Sequence, residues 1–132
     1  MTDPTFLSID EVLEIHHSMI ENYGGSLGIR DEGLLLSALE VPRSGFGGKY
    51  FHETIFDMAA AYLFHFVKNH PFVDGNKRIG LGCADLFLYM NDYELNLSSE
   101  EAERLTMKVA SESSSKEEIA AVFKKNSKPF TL

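Results

Sequence analysis

Pro71 cuts the most apolar part of the chain in two. Before it, Thr54 and Asp57 stand at capping-box spacing, with aspartate in place of the usual glutamate. Phe56, Ala59, Ala60, Leu63, Phe64 and Val67 then recur at helical intervals, which predicts a helix to Asn69. A helix cannot run on through Pro71, because proline lacks an N–H and its ring clashes with the preceding turn. A polar loop, 70–75, follows. From Asn76 the helical pattern resumes through Met90, with Ile79, Cys83, Leu86, Phe87 and Met90 on one side. Gly80 and Gly82 each lower intrinsic helicity by about 1 kcal/mol relative to alanine. They make sense where another helix packs closely, and they mark this as the central helix.

The flanking segments are helical as well. Ser8 and Glu11 form a capping-box pair ahead of Ile9, Val12, Leu13, His16, Met19 and Ile20, and Asn22-Tyr23-Gly24-Gly25 ends that helix. Asp31 caps a short helix through Leu39, with Pro42 as a stop. Residues 42–51, PRSGFGGKYF, read as a flexible loop or a short hairpin, or as a plain connector. Tyr93–Leu97 alternates like a short strand. Ser98 with Glu101 and Ser115 with Glu118 open two more helices, to about Ser111 and about Lys125. The tail, 127–132, is expected to fray. The expectation is an all-α bundle of about six helices in one domain, 1–132.

A chain of 132 residues with 44% hydrophobic and 24% charged residues is globular in composition and can build its own core. No apolar stretch approaches the ~20 residues that span a bilayer, and MTDPTFLSID lacks the pattern of a signal peptide. A single cysteine, Cys83, excludes an internal disulfide and a CxxC zinc site, so a cytoplasmic location is expected. Twelve basic against twenty acidic residues give a net charge of −8, which argues against general binding of nucleic acid. Lys68, His70, Lys77 and Arg78 nevertheless cluster. They read either as a solvated helix end or as a local site for a small anion such as a nucleotide.

The break itself, His70-Pro71-Phe72-Val73-Asp74-Gly75-Asn76-Lys77-Arg78, holds most of the chemistry. It leads into a helix N-terminus, where free N–H groups and the helix dipole favour an anion. His70 carries an imidazole, which can take a proton from a hydroxyl. Asp74 is a hard oxygen ligand suited to Mg²⁺ shared with phosphates. Gly75 lets backbone approach a phosphate, Asn76 can donate an amide hydrogen bond, and Lys77 and Arg78 supply charge to phosphoryl oxygens. Phe72 reads as a core anchor. Asp-Gly-Asn-Lys is also an ordinary turn, and no one of these residues alone carries a functional claim. Their combination does.

HPFVDGNKR resembles the core motif of the Fic/Doc family, H-x-F-x-[DE]-G-N-[GK]-R-x-x-R in its broad Fic branch. The likeness extends over about residues 7–97, including Asn22-Tyr23-Gly24-Gly25, Gly28-Ile29-Arg30-Asp31, Leu35 to Ala38 and Phe87-Leu88. The resemblance implies a Fic-type helical fold with the motif between two central helices. It implies His70 as general base, Asp74 as the Mg²⁺ ligand, Asn76 and Arg78 as phosphate holders, and 42–51 as a flap that docks the target chain. Fic proteins mostly transfer a nucleoside monophosphate to a protein hydroxyl. Doc proteins are toxins that phosphorylate a translation factor, elongation factor Tu. Lys77 stands where most nucleotidyl-transferring members have glycine, and Leu81 where they have a second arginine. Both departures agree with the Doc branch, and so with phosphoryl transfer from ATP or another nucleoside triphosphate. The internal inhibitory pattern [ST]-x-x-x-E-[GN] is missing at Glu21-Asn22 and at Glu32-Gly33. The resemblance therefore implies a separate small antitoxin. Alternatives are a Fic-type nucleotidyltransferase, an inactive binding module, and a metal hydrolase using His65, His70 and Asp74.

The remaining candidates have plain readings. His16 lies on an apolar stripe as a core histidine, His17 faces solvent, and Cys83 is a buried small hydrophobe. His52 either packs at a helix start or reaches substrate from the flap. Arg30, Asp31 and Glu32 form either a salt-bridge cluster or a docking surface.

Overall fold

The computed structural model describes residues 3–130. Local capping sets the helix boundaries. Helix α1 spans Ile9–Tyr23, α3 Ile55–Asn69, α5 Ser99–Ala110 and α6 Lys116–Lys125. Each starts with a complete capping box, on Ser8 and Glu11, Thr54 and Asp57, Ser98 and Glu101, and Ser115 and Glu118. Helix α2, Glu32–Glu40, begins on the Asp31 carboxylate, which accepts from the Leu34 N–H, and passes into a 3₁₀ turn at Val41–Arg43. Helix α4 spans Asn76–Met90 and has no side-chain cap. Among the described residues the fold is all-α with six helices, as expected.

The centre is α3 rather than α4. Met58 through Leu63, with Phe66 and Val67, are buried, and α3 packs on α2, α4, α5 and α6. A helix apolar all round belongs inside a bundle, and its three successive alanines let neighbours come close. Helix α4 lies against α3 and α1 along its two glycines. A Cβ on Gly80 would stand 3.2 Å from the Leu63 carbonyl oxygen, and one on Gly82 would run into Met19 of α1. Close approach of the Leu63 backbone is thus a reason for Gly80, while at Gly82 it is the Met19 side-chain tip that would have to move.

Residues 42–51 do contain a hairpin. Strands β1, Gly45–Phe46, and β2, Lys49–Tyr50, pair antiparallel through a two-residue turn at Gly47 and Gly48, both at positive φ. Its place corrects the expected flap role. The hairpin leads into the N-terminal end of α3, where Tyr50 packs on Phe6. His70 sits at the other end of that 15-residue helix, roughly 22 Å away along the axis.

The tail is a second correction. Strand β4, Ser127–Pro129, pairs antiparallel with β3, Tyr93–Leu95. The Phe130 N–H donates to the Asp92 carbonyl at 3.0 Å, and the Phe130 ring packs on Tyr89. A lone strand leaves backbone groups unpaired, and the tail supplies their partners. Residues 131 and 132 lie outside the described residues. Among those described, no helix is long and apolar enough to cross a membrane.

Candidate functional site

The 70–75 loop is built against a second loop, 24–31. Helix α3 ends at His70, whose backbone is left-handed, φ 49° and ψ 53°. The Pro71 carbonyl accepts from the N–H groups of Arg30 (2.7 Å) and Asp31 (3.1 Å), and the Val73 N–H donates to Gly28 at 3.0 Å. Ile29 and Phe72 form an isolated β-bridge. The Arg30 side chain closes the helix end, with Nε donating to the His70 carbonyl at 2.6 Å and Nη2 to the Asn69 carbonyl at 2.8 Å. The Asn69 amide donates to Leu34 of α2 at 3.1 Å. Beneath the loop, Phe72 is buried and stacks on His16, with ring centroids 3.8 Å apart. His16 Nε2 donates to the Asp74 carbonyl at 2.8 Å. His16 is thus a core histidine with its polar atom satisfied, as expected, while Phe72 anchors the loop.

His70 exposes its ring to the cleft. Its Nδ1 lies 2.8 Å from the Val67 carbonyl oxygen. A carbonyl only accepts, so Nδ1 carries a hydrogen, and in the neutral ring the free lone pair is on Nε2. The Asp74 carboxylate is steered by two backbone N–H groups, Gly75 to Oδ1 at 2.9 Å and Ser26 to Oδ2 at 3.2 Å. Each oxygen keeps lone pairs for a cation. A single carboxylate with phosphates and water is a usual protein contribution to Mg²⁺, so the donor set fits that ion.

Gly75 occupies the position before α4 with φ 79°, which a side chain would strain. It has no side chain to cap the helix, so the first N–H groups of α4 are left to another partner. Asn76 does not project freely into the cleft. It is buried, its Oδ1 accepts from the Phe72 N–H and its Nδ2 donates to the Phe72 carbonyl, both at 3.0 Å. This pair ties the loop, leaving one amide hydrogen of Asn76 for any anion. Lys77 and Arg78 are exposed. Arg78 lies over the Tyr23 ring at 4.5 Å, and Lys77 reaches to 3.8 Å from the Met107 sulfur of α5. Among the described residues neither has a carboxylate partner.

These groups share one cleft of about 830 Å³ between α1, α4 and α5. That volume suits a nucleotide-sized ligand. Its polar end holds His70, Asp74, Gly75, Asn76, Lys77 and Arg78. Further along, Leu81 and Met107 give an apolar wall and Asp85 a carboxyl, whose pKa burial raises, with Glu94 adding to the effect. The 42–51 hairpin does not line it.

Two other histidines are engaged away from this cleft. His52 Nε2 and His65 Nε2 both accept from the Lys116 ammonium at 3.2 Å. Burial, with that ammonium beside it, pushes the His65 pKa down to about 4. His65 is therefore not paired with His70, and the metal-hydrolase alternative loses one of its three ligands. His52 packs beside α6. His17 is exposed beside Glu21, and Cys83 is buried in α4 with its thiol pKa pushed up by burial.

Sequence reasoning gives Asn69, Ser26 and Tyr23 no role at the site, and reads Arg30 only as part of a salt-bridge cluster or a docking surface. Arg30 proves to be neither a salt-bridge partner nor a free docking residue, but the cap of α3. A cation followed by a helix-capping aspartate was the available signal, yet nothing local shows which carbonyls it meets.

A family model described as "Fic/DOC family" matches residues 6–88, more than half of the chain. The chain belongs to the Fic/Doc family. It is 37% identical over 101 residues to "Toxin Doc" of Mycolicibacterium smegmatis, covering 75% of this chain and 78% of that protein. It is also 30% identical over 97 residues to "Protein kinase doc" of Escherichia phage P1, covering 74% of this chain and 76% of that one.

Proposed function

We propose that this chain is a Doc-type toxin that moves a phosphoryl group from a nucleoside triphosphate, such as ATP, to a protein hydroxyl. The observation that carries the reading is a free His70 Nε2 lone pair beside the uncapped N-terminus of α4. A base and an anion site at the two ends of one short loop are what phosphoryl transfer needs. Names of the two relatives, a toxin and a protein kinase, support the same class.

In this reading the phosphates lie on the free N–H groups at the start of α4, and Arg78 and Lys77 offset their charge. Asp74 holds Mg²⁺, which neutralises charge on the phosphates. His70 Nε2 takes the hydroxyl proton as the oxygen attacks the terminal phosphorus, and the nucleoside diphosphate leaves with the electron pair of the broken P–O bond. Lys77 and Leu81 stand where a nucleotidyl-transferring Fic site has glycine and arginine, which favours presentation of the terminal phosphorus. The target chain enters beside residues 24–29, where Tyr23, Leu27, Ile29 and Val73 are exposed next to the loop. A translation factor such as elongation factor Tu is the proposed target, and a small antitoxin the proposed restraint, both in the cytoplasm.

Parallel reactions with γ-labelled and α-labelled ATP in a translation extract test the reading. Protein label from the γ position supports a kinase. Label from the α position means nucleotidyl transfer, and no label with either refutes both.

A further inference from the structure

The left-handed backbone of His70 leans heavily on one residue of the 24–31 loop. A non-glycine residue at φ 49° is disfavoured in isolation and persists only where its surroundings hold it. Around His70 most of that holding comes from one residue, with the Asp31 N–H adding a bond to the Pro71 carbonyl. The carbonyls of Asn69, His70 and Pro71 are successive, and Arg30 meets all three, with Nη2, Nε and its own N–H at 2.8, 2.6 and 2.7 Å. Cationic donors complement the partial negative charge at a helix C-terminus. Among the described residues Arg30 has no carboxylate partner, so its fork is committed to this turn.

We infer that Arg30 is a positioning residue for His70. Its guanidinium fixes the turn after Val67 so that the imidazole donates from Nδ1 to the Val67 carbonyl and keeps Nε2 unprotonated toward the cleft. Arg30 lies outside the HPFVDGNKR motif, in the 24–31 loop, and it reaches backbone rather than substrate. Its contribution therefore falls on the orientation of the base. Lysine at this position carries the charge but has no planar fork, so it can serve one carbonyl well and not two. Glutamine removes the charge. Because Arg30 is exposed and its backbone N–H bond to Pro71 survives substitution, both variants are expected to fold.

The inference rests on His70 acting as the base, and the test separates the two ideas. Histidine ¹⁵N spectra of the free protein report the imidazole tautomer whatever reaction is catalysed. The parent should show His70 with its hydrogen on Nδ1. Arg30→Gln should show a mixture of Nδ1–H and Nε2–H forms, and Arg30→Lys an intermediate mixture. In phosphoryl-transfer assays Arg30→Gln should lower kcat about 10²-fold, with KM for ATP and for target protein within about twofold. Circular dichroism checks that each variant is folded at the assay temperature. An Arg30→Gln protein with the parent's single tautomer and parent kcat would overturn the inference. So would a loss of activity that follows only the folded fraction, or an Arg30→Lys variant as impaired as the glutamine one. If the parent itself transfers no phosphoryl group, the reaction assignment fails, while the tautomer spectra still decide the role of Arg30.

Discussion

Val67 and His70 are joined by a 2.8 Å hydrogen bond from the imidazole Nδ1–H to the backbone carbonyl one turn earlier. That bond makes Nε2 the free base of the ring and aims it away from α3. Pro71 ends the helix at the same turn. The proline break and the state of the histidine are therefore parts of one local structure.

His70→Ala should reduce transfer by about 10²- to 10⁴-fold, the usual contribution of a general base. The side chain is exposed, so thermal unfolding should move little. Rate and melting curve on the same preparation check both halves. Undiminished growth arrest on expressing this variant would remove His70 from the mechanism.

Asp74→Asn leaves an oxygen for one of the two backbone N–H groups that steer the carboxylate, but removes the charge. Affinity for Mg²⁺-ATP should fall about tenfold or more, about 1.4 kcal/mol, with a smaller effect on stability. Titration calorimetry with and without Mg²⁺ measures it, and affinity equal to the parent's would contradict the assignment.

Gly80→Ala should destabilise the fold by about 1–2 kcal/mol in spite of alanine's better helix propensity. The added Cβ would press on the Leu63 carbonyl and on the Leu63 and Val67 side chains at 3.2–3.3 Å. A backbone carbonyl yields less than a side-chain tip. Urea unfolding should show a lower midpoint at unchanged slope. A stabilised variant would mean that α3 and α4 are further apart.

Acid should loosen the contact between α3 and α6. Folding depresses the His65 pKa to about 4 from 6.5, first by burial and then by Lys116. The unfolded chain binds the proton more readily, so stability contributed here is complete above about pH 6.5. It is lost as pH falls through about 4. Lys116→Met removes the second cause only, so the melting temperature should fall less steeply between these values than in the parent. Parallel melting series at several pH values check the slope. An identical slope would show that the ammonium does not act on His65.

The parts of this fold that were legible beforehand are those set by short-range rules. Each capping box at Ser8, Thr54, Ser98 and Ser115 is complete within four residues, and each one forms. Gly80 and Gly82 announced close packing because their helical cost had no local compensation. What stayed hidden depends on distant partners. Residues 127–129 look like loose tail until β3, more than thirty residues earlier, offers them an edge. The 42–51 glycines specify a hairpin but not the end of α3 where it stands. Asn76 reads as a free amide in sequence, and only the folded loop shows both its ends on Phe72. Arg30 acts across forty positions, and no periodicity reports that.

Intact-mass measurement of the modified target tests the central claim most directly. With the unmutated protein, Mg²⁺ and ATP, the target should gain one phosphate and no nucleoside, and Lys77→Gly should reduce the yield of that product. An adenylyl adduct formed by the unmutated protein would contradict phosphoryl transfer and assign the chain to nucleotidyl transfer, with His70 still the base.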